Sequence, residues 1–79
     1  MNSMNDENEN EIIKKQVLAY FENKIAIHIK YKDGAWHNGY ITSLNNEDFF
    51  MLNEREDGLL PVFYTHIKEV SKFIEEDGD

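Results

Sequence analysis

Two glycines five residues apart, Gly34 and Gly39, lie within a run of short amphipathic strands and set the tightest limit on how this chain can fold. Ile25, Ile27, Ile29 and Tyr31 alternate with polar residues up to Asp33-Gly34, a dipeptide that favours a hairpin turn. Tyr40-Ile41-Thr42-Ser43-Leu44 leads away from the pair and closes on Asn45-Asn46. Glycine at a hairpin tip admits a positive φ, and glycine inside a strand lets the strand bend with no side chain in the way. A strand that bends in mid-course is what a small, highly curved barrel requires.

The rest of the chain supplies elements of matching size. Ile13, Val17 and Phe21, flanked by Ile12, Leu18 and Tyr20, form a stripe at helical spacing. This predicts a helix from about Asn10 to Glu22 that packs its stripe on the core. Asn8 or Asn10 is the expected cap, Glu11 suits the first turn, and Asn23 is the expected stop. Strands follow at Ile25 to Lys32 and at Trp36 to Leu44. A third begins at Phe49-Phe50-Met51-Leu52, and Asp57-Gly58 turns the chain into a fourth, Leu59 to Thr65. Pro61 has no N–H for a ladder, so the fourth strand is expected to be an edge or to lie near a bulge. Ile67, Val70 and Phe73 recur every three residues, which suggests a tight turn leading into a short last strand. The expected fold is mostly β, an N-terminal α-helix followed by a five-stranded, strongly bent SH3-type barrel. The expected organisation is a disordered acidic head over residues 1–9, a barrel domain over 10–74 and a disordered acidic tail over 75–79.

Charge is distributed in the same way. Of the net −8, the first eleven residues hold four acids (Asp6, Glu7, Glu9, Glu11) and the tail four (Glu75, Glu76, Asp77, Asp79), while residues 12–74 carry eight acids and all eight bases. The low isoelectric point therefore does not exclude a body that binds RNA; the end segments serve solubility or compete with nucleic acid for a basic surface. No apolar run approaches the roughly 20 residues that cross a bilayer, so no membrane association is expected. The polar N-terminus has no signal-like pattern, and a cytoplasmic location is the expectation. Without cysteine the chain forms no disulfide and no cysteine-ligated zinc site. His28, His37 and His66 lack ligand spacing, no serine sits in a nucleophile elbow, and no Gly-rich loop precedes a helix. Neither a metal, a cofactor nor an enzymatic activity is expected.

From about Val17 to Phe73 the chain resembles the Sm-like superfamily, which includes the bacterial Hfq proteins. The resemblance rests on Ile25, Ile27, Ile29, Gly34, Trp36, Gly39, Ile41 and the turn at Asn45, with the helix ahead of them. Tyr64-Thr65-His66 is similar to the Tyr-Lys-His of Hfq. The sequence departs from the family at Asn45, where many members have Asp, and at Asp48-Phe49, where Sm proteins have Met-Asn. The Arg-Gly pair that precedes the last strand is missing. The resemblance implies a closed homo-oligomeric ring of five to seven subunits, in which the fourth strand of one subunit pairs with the fifth of the next. It also implies non-catalytic binding of single-stranded RNA.

Such binding needs aromatic faces for bases, donors and acceptors for base edges, and positive charge for phosphates. The candidates are Phe49 and Tyr64 for stacking, Asn45 and His66 for base edges, and Lys68 for charge. Each has a plainer role as well. Phe49 opens an apolar run and is expected in the core, Tyr64 could pack at a subunit interface, and Asn45 forms a turn. His66 could be a neutral imidazole held at an interface. Trp36, at an apolar position of the motif, is expected to be buried. The acidic loop Glu54, Glu56 and Asp57 reads as a solvated hairpin tip. The alternative function is an oligomeric protein-interaction module that keeps the barrel and does not bind nucleic acid.

Overall fold

The structure, a computed structural model, describes residues 3–74; Met1, Asn2 and the tail 75–79 lie outside the described residues. One helix, α1 (Ser3–Glu22), precedes five strands: β1 (Ile27–Tyr31), β2 (Trp36–Ser43), β3 (Phe49–Glu54), β4 (Gly58–Phe63) and β5 (Ile67–Lys72). A 3₁₀ turn, Tyr64–His66, links β4 to β5. The expected mostly-β chain with an N-terminal helix is what the structure shows.

Ile13 and Val17 of α1 are buried, Tyr20 and Phe21 pack against the core, and Ile12 and Leu18 face outward. The stripe therefore packs as expected. The helix begins at Ser3, well before Asn10, so residues 3–9 extend it instead of forming a disordered head. At the other end the expected stop is present in detail. Lys24 N donates to Phe21 O (3.2 Å) and Ile25 N to Tyr20 O (3.0 Å), while Lys24 takes φ 56°. These are the two bonds of a Schellman C-cap, with lysine in the left-handed position usually given to glycine.

The strands form one antiparallel sheet in the order β4-β3-β2-β1-β5, leaving β4 and β5 as edges. Pro61 thus lies on an edge strand, as its missing N–H requires. Ile27, Ile29, Ile41, Phe50, Leu52 and Val62 point from the sheet into the core and meet Val17, Tyr64, Ile67 and Val70. The three-residue spacing of Ile67 and Val70 has a different origin from the tight turn expected there. Lys30 pairs with Glu69 but Tyr31 pairs with Ile67, so Lys68 is an extra residue in β5. That bulge resets the alternation, and both Ile67 and Val70 reach the core.

Gly34 has φ 96° and Gly58 φ 80°, each at a hairpin. Gly39 has no positive φ; it is fixed by contact instead. A Cβ there would collide with the Asn53 carbonyl oxygen and lie 2.9 Å from the Asn53 carbonyl carbon and the Glu54 Cα, all backbone atoms of β3.

Two burial expectations are corrected by strand parity. Ile29 pairs with His37 and Ile27 with Gly39, which sets His37, Gly39 and Ile41 inward and Trp36 outward, 58% exposed. In β3 the inward series is Phe50, Leu52 and Glu54, so Phe50 rather than Phe49 fills the core.

Candidate functional site

The five candidate RNA-contacting residues do not form a single cluster. Asn45 and Phe49 line a cleft of about 250 Å³ beside the turn after β2. Asn45 is exposed and Phe49 half-buried. Lys68 lies on a groove of about 390 Å³ between α1 and β5, together with Lys32. Tyr64 is 6% exposed and its ring packs on Phe50 at 5.4 Å, with Lys14 Nζ 5.3 Å from its centroid. Tyr64 is therefore a core side chain and offers no face to a base, because even-numbered positions from Leu60 through Val62 point inward. Its burial also raises the pKa of its phenol.

What the structure does bring together are the turns after β2 and β4. Tyr64 N donates to Asp48 O at 3.0 Å, tying the two. Above that bond Phe49 meets Phe63 at 5.1 Å between ring centroids, and Phe63 meets His66 at 5.7 Å. Three rings thus run side by side from β3 to the 3₁₀ turn, and Phe63 and His66 are exposed. Phe63 was missed as a candidate. Its register opposite Phe49 could have revealed it, but that register exists only once β3 and β4 pair.

A second recess of about 460 Å³ opens between the β1–β2 hairpin and the end of β4, lined by Tyr31, Lys32, His37, Phe63 and His66 among others. Within it Tyr31 Oη lies 2.9 Å from His37 Nδ1; outside it, His37 Nε2 lies 3.6 Å from Asp57 Oδ2. Burial, with the charges of Glu54 and Asp33, pushes the Tyr31 phenol up to about 12, so it stays protonated. Among the described residues no three His, Cys, Asp or Glu side chains gather into a metal-ligand set. No helix among them is long and apolar enough to cross a membrane.

Glu54 departs from the solvated loop expected of it: it is buried, at 7% exposure. Its Oε1 accepts from the backbone N–H groups of Asp57 and Glu56, each at 2.8 Å, and its Oε2 from Asn38 N at 3.1 Å. The Asp57 and Glu56 bonds hold its carboxyl below the usual carboxylate range; burial opposes this, and the Asn38 bond and His37 assist it. Glu54 thus closes the β3–β4 turn from inside and ties it to β2. No sequence pattern marked it, because the neighbouring acids Glu56 and Asp57 are exposed.

No protein-family model matches the chain, and no curated protein matches it.

Proposed function

We propose that the chain is an Sm-like barrel that assembles into a homo-oligomeric ring of five to seven subunits and holds single-stranded RNA without catalysis in the cytoplasm. The strand order, the helix ahead of β1 and the 3₁₀ turn ahead of β5 support the barrel type, although the sheet is not closed, and its two open edges support the ring. A body this small buries only roughly 60% of its unfolded surface, and edges left unpaired favour association. The RNA reading is carried by one observation: the Phe49, Phe63 and His66 rings, in contact in series from the start of β3 across the end of β4 to the 3₁₀ turn. Aromatic faces in series stack unpaired bases with little regard to sequence. A ring repeats the weak contacts of each subunit and adds them by multivalency.

The protein-interaction module remains a second reading, favoured by β4. The core face of that strand is Leu60 and Val62, yet Leu59, Pro61 and Phe63 on the other face are exposed and also apolar. An edge strand that is apolar on both faces fits protein contact. Native mass spectrometry, alone and with oligo-uridine and oligo-adenine at rising salt, separates the readings. A ring that retains RNA and releases it as salt rises supports the proposal. A ring that ignores RNA at low salt leaves the interaction module, and a clean monomer overturns the ring.

A further inference from the structure

Trp36 opens β2 as an exposed indole outside the core. Past the end of β3 the chain turns back beside it: Arg55 N donates to Asn38 O at 2.9 Å, which sets residues 55–57 alongside the start of β2. Trp36, Glu56 and Asp57 thereby share a groove of about 350 Å³. Glu54 holds this arrangement from inside, since its carboxylate accepts from the N–H groups of Glu56, Asp57 and Asn38. The groove is thus fixed by backbone bonds, and a ligand that enters it orders little. Its charges are unbalanced. Glu54 is matched by backbone donors and Asp57 has His37 beside it, whereas the exposed Glu56 carboxylate forms no ion pair among the described residues. The basic residue of the turn, Arg55, lies over the Phe73 ring, 5.3 Å from its centroid, and Phe73 lines a different cleft. Lys30 pairs with Trp36 from β1, on the side of β2 away from the turn, and has Glu69 as its other partner.

An indole face attracts cations through its ring quadrupole, more strongly than the other aromatic side chains do. A guanidinium suits such a groove best: it stacks flat on the ring and directs its N–H donors at carboxylates beside it. A phosphate would meet two exposed carboxylates there instead. We propose that the groove binds an arginine side chain of a basic protein segment, stacked on Trp36 and donating to Glu56 and Asp57. The net charge of −8 favours the approach of such a segment. The groove shares no residue with the Phe49–Phe63–His66 series, and it goes beyond the function proposed above because it needs neither RNA nor the ring.

Trp36 is the single tryptophan of the chain, so its fluorescence reports this groove alone. The test titrates the intact protein at low salt with a terminally blocked Gly-Arg-Gly peptide, following Trp36 emission. The same peptide with citrulline, which keeps the planar shape and loses the charge, is the control. A saturable change with the arginine peptide, weakened by salt and absent with citrulline, is the expected result. Glu56→Gln leaves the Glu54 bonds to the turn in place, so circular dichroism should match the parent while peptide binding weakens by about 1.5- to 5-fold. Glu56→Lys should weaken it further. Trp36→Leu, followed by calorimetry, should lose about 2- to 5-fold. Emission that stays flat up to millimolar arginine peptide, or that responds equally to citrulline, overturns the site. So does a Glu56→Lys variant that binds as the parent does. A response to oligo-uridine in place of the peptide overturns it in favour of a nucleic-acid surface. The ring and its RNA are decided separately, by native mass spectrometry.

Discussion

Glu54 shows how much a single residue can decide in a domain of this size. A buried carboxylate is costly unless its oxygens are matched by donors, and here three backbone N–H groups converge on it. Its pKa lies below the ordinary value of 4.5, so the native state holds the proton less tightly than the unfolded chain does. The stabilisation is therefore complete above about pH 4.5 and is lost as pH falls from there towards the lowered native value. Glu54→Gln keeps the size but loses the charge, and its amide nitrogen would face N–H donors. The variant should be less stable at neutral pH by about 1–3 kcal/mol. It should also lose part of the decline in stability that the parent shows on acidification. Thermal unfolding followed from pH 7 to pH 3 checks both outcomes, and parallel profiles for parent and variant would exclude this role. Nothing near Glu54 in the sequence distinguishes it from Glu56: Glu54 is the last residue of β3, paired with Gly39 and facing inward, whereas Glu56 lies in the turn beyond the strand.

Among the elements, β2 carries the largest constraint. It pairs on both sides, with β1 and with β3, and Gly39 sits where the β3 backbone comes too close for any Cβ. A valine at this position has to push β3 away or distort β2, because the atoms it meets are backbone. Gly39→Val should cost several kcal/mol, about 3 or more, as overpacking against immovable atoms does. Denaturant unfolding is the measurement, and a variant as stable as the parent would mean that β2 and β3 separate without cost. The glycine itself was legible in the sequence as a place where a side chain is not tolerated. Its cause was read as a bend, whereas the structure supplies a contact. Elements were legible wherever periodicity was strong: the stripe of α1, the alternation of β1, and Asp33-Gly34 and Asp57-Gly58 as hairpins with positive φ. The bulge at Lys68 was not, because an extra residue in a strand and a tight turn leave the same three-residue spacing.

For the molecule as a whole, the open question of scale is association. Both ends of the sheet are open, and β4 presents Leu59 at 64% exposure and Phe63 at 40% beside an unpaired edge. Leu59 contributes little to the core, so Leu59→Lys should leave the unfolding free energy of the monomer within about 0.5 kcal/mol of the parent. A charge at a contact between subunits should instead shift native mass spectra from ring to monomer. A ring population unchanged by Leu59→Lys would remove β4 from the interface. The candidate site was only partly legible at this scale. Phe49 and His66 come to the two sides of Phe63, while Asn45 lies in a cleft beside Phe49, Tyr64 goes into the core and Lys68 into the groove beside α1.

Local patterns of charge, glycine and apolar spacing in the sequence by themselves determined the number, type and order of the elements and the hairpin positions. They also determined that Pro61 belongs to an edge. These properties depend on backbone preferences and on neighbours a few residues away, so a linear reading reaches them. Only the tertiary structure decided which of two adjacent residues faces inward: Phe50 over Phe49, His37 over Trp36. A strand has two faces, and its parity is set by the partner strand's register and not by its own residues. That choice sends Trp36 and Tyr40 to the outside.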